Sequence, residues 1–346
     1  MPFGELLLTL NFRQSRVGGN PISLRYHDLM KTWIPACAGM TGYSKFPFKD
    51  LPLNAQRNPM SDALLAWYFV VIWGSGFIAT KIGIQYAAPF TFLSLRFAFG
   101  IACLIPLMFL LKPAWPQTPR EWLHIVVAGL LMHAIHLSGS HYAQYLGMSA
   151  GITAVILALQ PLATACITRR SGERIAPLQW LGIGLGFAGV ALIVWHKIDV
   201  NAVTVGSLIA VLTALVALTV GTLYQRKFCP TVDLRSGALI QFAASLMVLL
   251  PLSIAFEGAR VQWAWQLVGA IFFLVIFASI LAVNALHTLM RRNAAIRVTS
   301  MLYLPPIVAV AMEYLLFGVV PNAISFVGIA ITTVGVALAM RRAPVN

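Results

Sequence analysis

Long apolar stretches alternate with short polar or basic connections along most of this chain. From Ala63 onwards we count ten apolar segments, each close to the roughly 20 residues that a helix needs to cross a bilayer. Their approximate limits are 63–84, 90–111, 122–145, 150–168, 177–195, 205–225, 236–256, 264–289, 295–316 and 323–340. The breaks fall at helix-ending or charged residues, such as Lys112-Pro113. The pattern predicts an all-α polytopic membrane protein with ten transmembrane helices.

The basic residues are distributed unevenly between the two sets of connections. If Met60 is cytoplasmic, the cytoplasmic connections hold thirteen Lys and Arg residues, and the outer connections hold only Lys197 and Arg260. The thirteen are Lys112, Arg120, Arg169, Arg170, Arg174, Arg226, Lys227, Arg235, Arg291, Arg292, Arg297, Arg341 and Arg342. Cytoplasmic connections of membrane proteins carry an excess of Lys and Arg. We therefore predict a multi-pass protein of the bacterial inner membrane with both termini in the cytoplasm.

Composition excludes several other classes of protein. Hydrophobic residues make up 59% of the chain and charged residues 10%, whereas soluble domains carry about 25% charged residues. The net charge of +14 does not indicate nucleic-acid binding, because the basic residues lie in short connections and not on one soluble face. The four cysteines are widely separated, so we predict no disulfide framework, metal or cofactor. Without a GxxxxGK[ST] motif the chain does not hydrolyse ATP, and proton or substrate gradients remain as energy sources.

Residues 1–59 differ from the rest of the chain. They contain several basic residues and no apolar run long enough to span a bilayer. Two interpretations remain open: a disordered cytoplasmic tail, or an extension that precedes a true start at Met60. The stretch SRVGGNPISLRYHDLMKTWIPACAGMTG resembles the translation of a repetitive bacterial intergenic element, which favours the second interpretation.

The second half of the membrane part repeats the first. Residues 159–162, Leu-Gln-Pro-Leu, align with residues 304–307, Leu-Pro-Pro-Ile, at an offset of 145 residues. The sequence Gly-Val-Ala-Leu occurs at 189–192 and again at 335–338, an offset of 146. We therefore divide the chain into a first repeat at 60–199, a second at 200–342 and a tail at 343–346. Because five helices are an odd number, the repeats are inverted, an arrangement typical of secondary transporters with a binding site near the midplane.

Ionisable and polar residues inside apolar segments are the candidate site residues. Glu313 could bind a substrate ammonium group or carry a proton, and the alternative is a structural pairing. His133, His136, Ser140 and Gln144 recur every three or four residues, which places them on one helical face. This face could line a polar cavity and support proton coupling through histidine. The alternative is a set of hydrogen bonds between helices.

A second group of candidates rests on proline and on repeat position. Gln160 precedes Pro161, and Tyr303 lies shortly before Pro306. Proline leaves a backbone carbonyl without its helical partner, so either a cavity uses this carbonyl or the helix simply bends. Asn284 and His287, three residues apart in the eighth segment, form a further candidate pair. For Lys81 and Arg96 we expect structural pairing more often than direct contact with a substrate.

Several short motifs carry a family resemblance over residues 62–342. They are Trp73-Gly74-Ser75, Phe77, Lys81, Pro89, Arg96, Pro161, Gly172-Glu173-Arg174, Gly189-Val190, Pro306, Phe317-Gly318 and Gly335-Val336. With these residues the chain resembles the EamA family of the drug/metabolite transporter superfamily. One departure is Val319, which stands where the family usually has a glutamate. The resemblance implies ten helices around a central cavity, alternating access and movement of small metabolites, often amino acids.

We therefore expect a secondary active transporter that exports small metabolites such as amino acids, and not an enzyme. Its expected partners are a small-molecule substrate, the lipid bilayer and, as a candidate coupling ion, the proton, and its oligomeric state stays open. One alternative is a lipophilic-cation or drug exporter of the same superfamily, and another is a receptor or assembly partner without transport activity. A membrane-embedded transferase would need clustered acidic groups, but Asp62, Asp199 and Asp233 lie singly near segment ends.

Overall fold

The computed structural model describes residues 59–168, 177–199, 203–282, 285, 304–320 and 322–339. These residues are helical, and their β-structure is limited to one isolated bridge between Ala87 and Val261. In chain order the helices are α1 (Pro59–Gly83), α2 (Pro89–Leu111), α3 (Pro119–Tyr145), α4 (Ala150–Leu157), α5 (Gln160–Thr168), α6 (Pro177–Asp199), α7 (Val205–Phe228), α8 (Leu234–Glu257), α9 (Trp265–Ala282), α10 (Pro305–Phe317) and α11 (Ala323–Ala339). Six of the described helices, namely α1, α2, α3, α7, α8 and α9, are long and apolar enough to cross a membrane.

The structure refines two of the segment limits predicted from sequence. The apolar segment 150–168 is interrupted after Leu157, and α5 begins at Gln160 directly before Pro161. Helix α8 continues to Glu257 and ends at Gly258, whose left-handed conformation (φ 65°) closes the last turn. Glycine adopts this conformation without steric cost. Glu257 therefore belongs to the helix, one residue beyond the apolar limit predicted at 256.

Three of the described helices contain π-helical stretches, in which each turn holds an extra residue. In α3 the stretch runs over Leu130–Ile135, in α8 over Ser253–Glu257 and in α9 over Phe273–Ala282. Such π-helical turns redirect the side chains that follow them and are frequent at functional sites. The stretches of α3 and α9 flank the interior of the helix bundle, where both helices contribute residues to the same cavity.

The core between α2 and α8 is aromatic. Phe97 and Phe242 are both buried, and their ring centroids lie 5.3 Å apart. Leu93 and Leu249 belong to the same buried cluster. Because α2 comes from the first half of the chain and α8 from the second, this cluster joins the two halves in the middle of the molecule.

Glycines allow α6 and α11 to pack in close contact. A Cβ atom on Gly189 would lie 2.6 Å from the carbonyl oxygen of Gly328 and 2.4 Å from Oγ1 of Thr332. A Cβ atom on Gly335 would lie 2.3 Å from the backbone nitrogen of Gly186. The later glycine of each helix thus meets an earlier part of the other helix, so the two helices run antiparallel. Small residues permit such close backbone approach in membrane proteins.

Candidate functional site

A cavity of about 180 Å³ lies in the interior of the helix bundle. Its walls come from α1, α2, α3 and α4 of the first half and from α7, α8 and α9 of the second half. Its lining residues are Trp73, Gly76, Phe77, Thr80, Arg96, Met132, His133, His136, Leu137, Ser140, His141, Leu157, Leu218, Phe242, Leu274, Ala278 and Ser279. Arg96 lies seven residues after Pro89, which is about 10 Å along the helix axis at a rise of 1.5 Å per residue. The cavity therefore lies well inside the bundle, away from the N-terminal end of α2.

Arg96 is the charged residue of this lining. Its Nη2 donates a hydrogen bond of 3.3 Å to Oγ of Ser279 on α9. The Ser279 hydroxyl donates in turn to the carbonyl oxygen of Leu274 at 2.8 Å. Among the described residues no carboxylate lies within ion-pair distance of the guanidinium group. Arg96 thus brings a positive charge to the cavity wall, and no negative side chain of the described part of the chain lies beside it.

The histidines on α3 have different partners. Nε2 of His133 lies 3.0 Å from Oε1 of Gln241 on α8. Nδ1 of His136 lies 3.0 Å from the carbonyl oxygen of Ala214 on α7, and because a carbonyl only accepts, this nitrogen donates. His141 is 2% exposed, and neither of its ring nitrogens has a partner among the described residues. The α3 wall therefore combines two histidines that each bond another helix through one ring nitrogen with a third whose ring nitrogens have no hydrogen-bond partner among the described residues.

Glu257 forms a polar cluster at one end of the bundle. At this end, which we call the carboxylate end, α2, α4 and α9 begin and α1, α3, α8 and α10 finish. Its Oε1 accepts hydrogen bonds from the Phe90 backbone N–H (2.9 Å) and the Tyr142 hydroxyl (2.5 Å). Its Oε2 accepts from both the backbone N–H and the hydroxyl of Thr91, at 2.7 Å each. Ala88 before α2 provides no side-chain cap, so Glu257 caps this helix from the other half of the chain.

Glu313 has the same role for α4. The backbone N–H groups of Ala150 and Gly151 donate to its two carboxylate oxygens at 3.0 and 2.9 Å. Nζ of Lys81 lies 2.6 Å from Oε1 and 4.5 Å from the centroid of the Phe317 ring. Gly151 is needed for this approach, because a Cβ atom there would lie 2.6 Å from the side chain of Val310 on α10. A negative charge at a helix N-terminus is favourable, and here it joins α10 to α1 and α4.

Three of the α3 candidates line the cavity together. They are His133, His136 and Ser140, and Trp73 and Arg96 of the family motif join them. Gln144, one turn further along α3, is buried, and its side-chain amide has no partner among the described residues.

The other candidates lie away from the cavity lining. Glu313 is held at the carboxylate end by the contacts given above. Gln160 is buried, and its carbonyl oxygen accepts a hydrogen bond from the Thr164 hydroxyl at 2.9 Å. Pro161 and Pro306 are buried, and Ser75 is half-buried.

Gly74 serves packing, since a Cβ atom there would lie 2.6 Å from the Pro305 carbonyl oxygen. The carbonyl group of Pro305, the first residue of the Pro305-Pro306 pair, thus faces α1. The candidates Asn284, His287 and Tyr303 lie outside the described residues.

The sequence pattern did not single out Glu257, Thr80 or Ser279. Glu257 lies next to a glycine at the edge of an apolar run, where an acidic residue reads as the first residue of an outer connection. Thr80 and Ser279 are small hydroxyl residues in apolar helices, and such residues more often bond their own backbone. For Glu257 the pairing of an acid with a following glycine at a helix end was the available signal.

Comparison with known proteins agrees with this architecture. The chain is 28% identical over 284 residues to the protein described as "Uncharacterized inner membrane transporter YedA" of Escherichia coli (strain K12), covering 82% of this chain and 91% of the relative. It is 23% identical over 284 residues to the "Probable amino-acid metabolite efflux pump" of the same organism, covering 79% and 93%. A solved crystal structure matches with a TM-score of 0.57 at 18% identity, over 81% of this chain and 97% of that chain.

Both halves of the chain match the same family description. The EamA-like transporter family matches residues 60–195 and again residues 205–341. These ranges contain the residues of the cavity and of the carboxylate end. The family and the names of these relatives identify a membrane transporter and not an enzyme. The chain belongs to the EamA-like transporter family.

Proposed function

We propose that this protein is a secondary active transporter that exports small metabolites such as amino acids across the bacterial inner membrane by alternating access. The observation that carries this proposal is the cavity, which lies between the halves and takes its walls from both of them. Secondary transporters bind substrate at such an interface between repeats. The substrate class follows the relative described as an amino-acid metabolite efflux pump.

Ten helices in two inverted repeats are the architecture we propose. Contacts between positions about 145 residues apart support it, because a two-fold relation places equivalent residues against each other. Phe97 and Phe242 are separated by 145 residues and their rings are in contact. Gly189 of α6 and Gly335 of α11 are separated by 146 residues, and each packs against the other helix in an antiparallel pair.

The carboxylate end is the gate that we propose for one side of the cavity. Glu257 and Glu313 both belong to the second half, and both bind helix N-termini of the first half. Movement of one half against the other would break these hydrogen bonds. From the positive-inside rule, we assign the carboxylate end to the external side, with both termini in the cytoplasm.

The cavity disfavours the alternative of a lipophilic-cation exporter. Arg96 would repel a cation in the same low-dielectric space. Pockets for drug-sized ligands measure roughly 300–1,000 Å³, whereas this cavity measures about 180 Å³. A small metabolite without net positive charge fits the size and the charge of the cavity better.

The test is a counterflow assay with the purified chain in proteoliposomes. Vesicles loaded with an unlabelled amino acid are diluted into the same labelled compound, with the twenty amino acids and tetraphenylphosphonium tested in turn. We expect transient accumulation of at least one amino acid and none of tetraphenylphosphonium. Accumulation of the cation alone, or of nothing, would contradict the proposed function. Repeating the assay with an imposed pH gradient shows whether protons are coupled to transport.

A further inference from the structure

Arg96 is a half-buried cation that has no anionic partner among the described residues. Its one hydrogen bond among the described residues is the 3.3 Å contact with Ser279, although a guanidinium group has five N–H donors. Glu257 and Glu313 are engaged at the carboxylate end. The segment 283–303, which continues the chain after α9, contains no Asp or Glu. It therefore brings no carboxylate to Arg96.

A charge in this position is costly unless something compensates it. Ionisable side chains inside membrane helices usually pair with each other or serve function. About 10 Å along the helix axis separate Arg96 from Pro89 at the start of α2. The Arg96 side chain would therefore have to leave the cavity in order to reach water at that end of the helix. A ligand that brings the missing negative charge into the cavity would remove this cost.

The rest of the lining restricts which anion fits. Arg96 is the single Lys or Arg among the described lining residues, so one negative charge balances it. Aromatic and aliphatic side chains dominate the remaining wall, among them Trp73, Phe77, Leu137 and Phe242. The planar fork of a guanidinium group matches a carboxylate with two parallel hydrogen bonds. The lining thus suits a monocarboxylate with a small apolar body.

Polar groups on α3 lie in the same lining and could take a second substituent. His141 lines the cavity and is only 2% exposed. Neither of its ring nitrogens has a hydrogen-bond partner among the described residues. Ser140 adds a hydroxyl group. A hydroxyl or amino group next to the carboxylate could satisfy these side chains. This observation is independent of the charge of Arg96 and also indicates a ligand.

We propose that Arg96 is the anchor for the carboxylate of the transported substrate, and that the substrate is a small monocarboxylate with an apolar side chain. This inference rests on the proposed transport function and specifies its substrate class. The carboxylate binds the guanidinium group, and the apolar body lies against the aromatic and aliphatic wall.

The experiment measures thermal unfolding of the full chain in detergent with isovalerate or with isovaleramide, its neutral analogue of the same shape. We expect isovalerate to raise the Tm by about 2 °C and isovaleramide to leave it unchanged. Arg96→Met should abolish the isovalerate shift, and Arg96→Lys should retain part of it. Arg120→Gln, which removes a positive charge at an exposed helix start, is the matched control and should keep the full shift.

The basal Tm distinguishes an anchor from a structural residue. Without a probe, Arg96→Met should be at least as stable as the parent chain, because it removes a half-buried charge that has no carboxylate partner among the described residues. The inference would be overturned if Arg96→Met had a lower basal Tm than the parent chain or failed to fold. It would also be overturned if isovalerate gave no Tm shift, if isovaleramide gave an equal shift, or if the isovalerate shift survived in Arg96→Met. Counterflow of an amino acid without a carboxylate-dependent shift refutes only the anchor. A carboxylate-dependent shift without counterflow of any compound refutes only the transport function.

Discussion

Replacing Glu257 by glutamine should weaken the gate at the carboxylate end. The carboxylate accepts four hydrogen bonds, two on each oxygen, from Phe90, Thr91 and Tyr142. Glutamine keeps one acceptor oxygen and replaces the other with an NH₂ group, which cannot accept. Two of the four donors therefore lose their acceptor, and the other two lose the charge of theirs.

The size of the effect follows from these contacts. Hydrogen bonds to a charged group contribute about 1.5–3 kcal/mol each, net of hydration, and neutral ones about 0.5–1.5 kcal/mol. The Thr91 hydroxyl can turn and accept from the new amide, which recovers part of the loss. We estimate a cost of about 3 kcal/mol, which changes the ratio of the closed to the open gate by about a hundredfold, since 1.4 kcal/mol corresponds to a factor of ten.

The assay follows thiol labelling from the external side. Ser140→Cys places a thiol in the cavity lining, in a chain whose native cysteines have been replaced. A membrane-impermeant maleimide is added to right-side-out vesicles, with sidedness fixed by a C-terminal tag. We expect Glu257→Gln to raise the labelling rate severalfold or more.

Glu121→Gln is the control for this experiment. The Glu121 carboxylate also accepts from a backbone N–H, that of Gln117 at 2.7 Å, but at the opposite end of α3. It should leave labelling unchanged. If Glu257→Gln labels at the parent rate while Ser140→Cys remains reactive after solubilisation, the assignment of the gate is wrong.

Three further predictions follow from other contacts. Lys81→Met should open the same gate by less than Glu257→Gln, because Glu313 keeps its two backbone donors, and the same labelling assay would show this; a larger effect would contradict the order of the two contacts. Gly335→Leu should lower the free energy of unfolding by about 1–3 kcal/mol or prevent folding, seen as a lower Tm in detergent, while Val334→Leu on the exposed side of α11 should not. His133→Phe should reduce counterflow while leaving the Tm close to that of the parent chain, because it removes a cavity hydrogen bond to Gln241 and keeps the aromatic packing against Phe242. A loss of counterflow that is accompanied by a clear fall in Tm would indicate a purely structural histidine.

The helical segments were predictable because a bilayer imposes length and apolarity on every residue that spans it. The polar face of α3 was also visible in the sequence, since the positions of His133, His136 and Ser140 follow the helical period. The structure brings these three residues to one cavity. Their roles in binding stay predictions.

The carboxylate end was not predictable from the pattern of side chains. The partners of Glu257 are largely backbone N–H groups, and every residue but proline has one. Phe90 and Thr91 are 167 and 166 residues away in sequence. Glu313 was a candidate site residue in the sequence, but its position at the start of α4 depends on the close approach that Gly151 allows. These contacts come from tertiary packing, which local spacing does not encode.

Blocking the cavity tests the central claim, that substrate crosses the membrane through it. Ala278 lines the cavity, and Ala278→Phe would fill part of its volume, whereas Ala98→Phe adds the same group on the exposed side of α2. Both variants are compared with the parent chain by amino-acid counterflow in proteoliposomes at equal protein content. Their Tm values are first shown to equal that of the parent chain. The account predicts that Ala278→Phe loses counterflow and Ala98→Phe retains it. Parental counterflow in Ala278→Phe would contradict the account, because the substrate would then cross by another route.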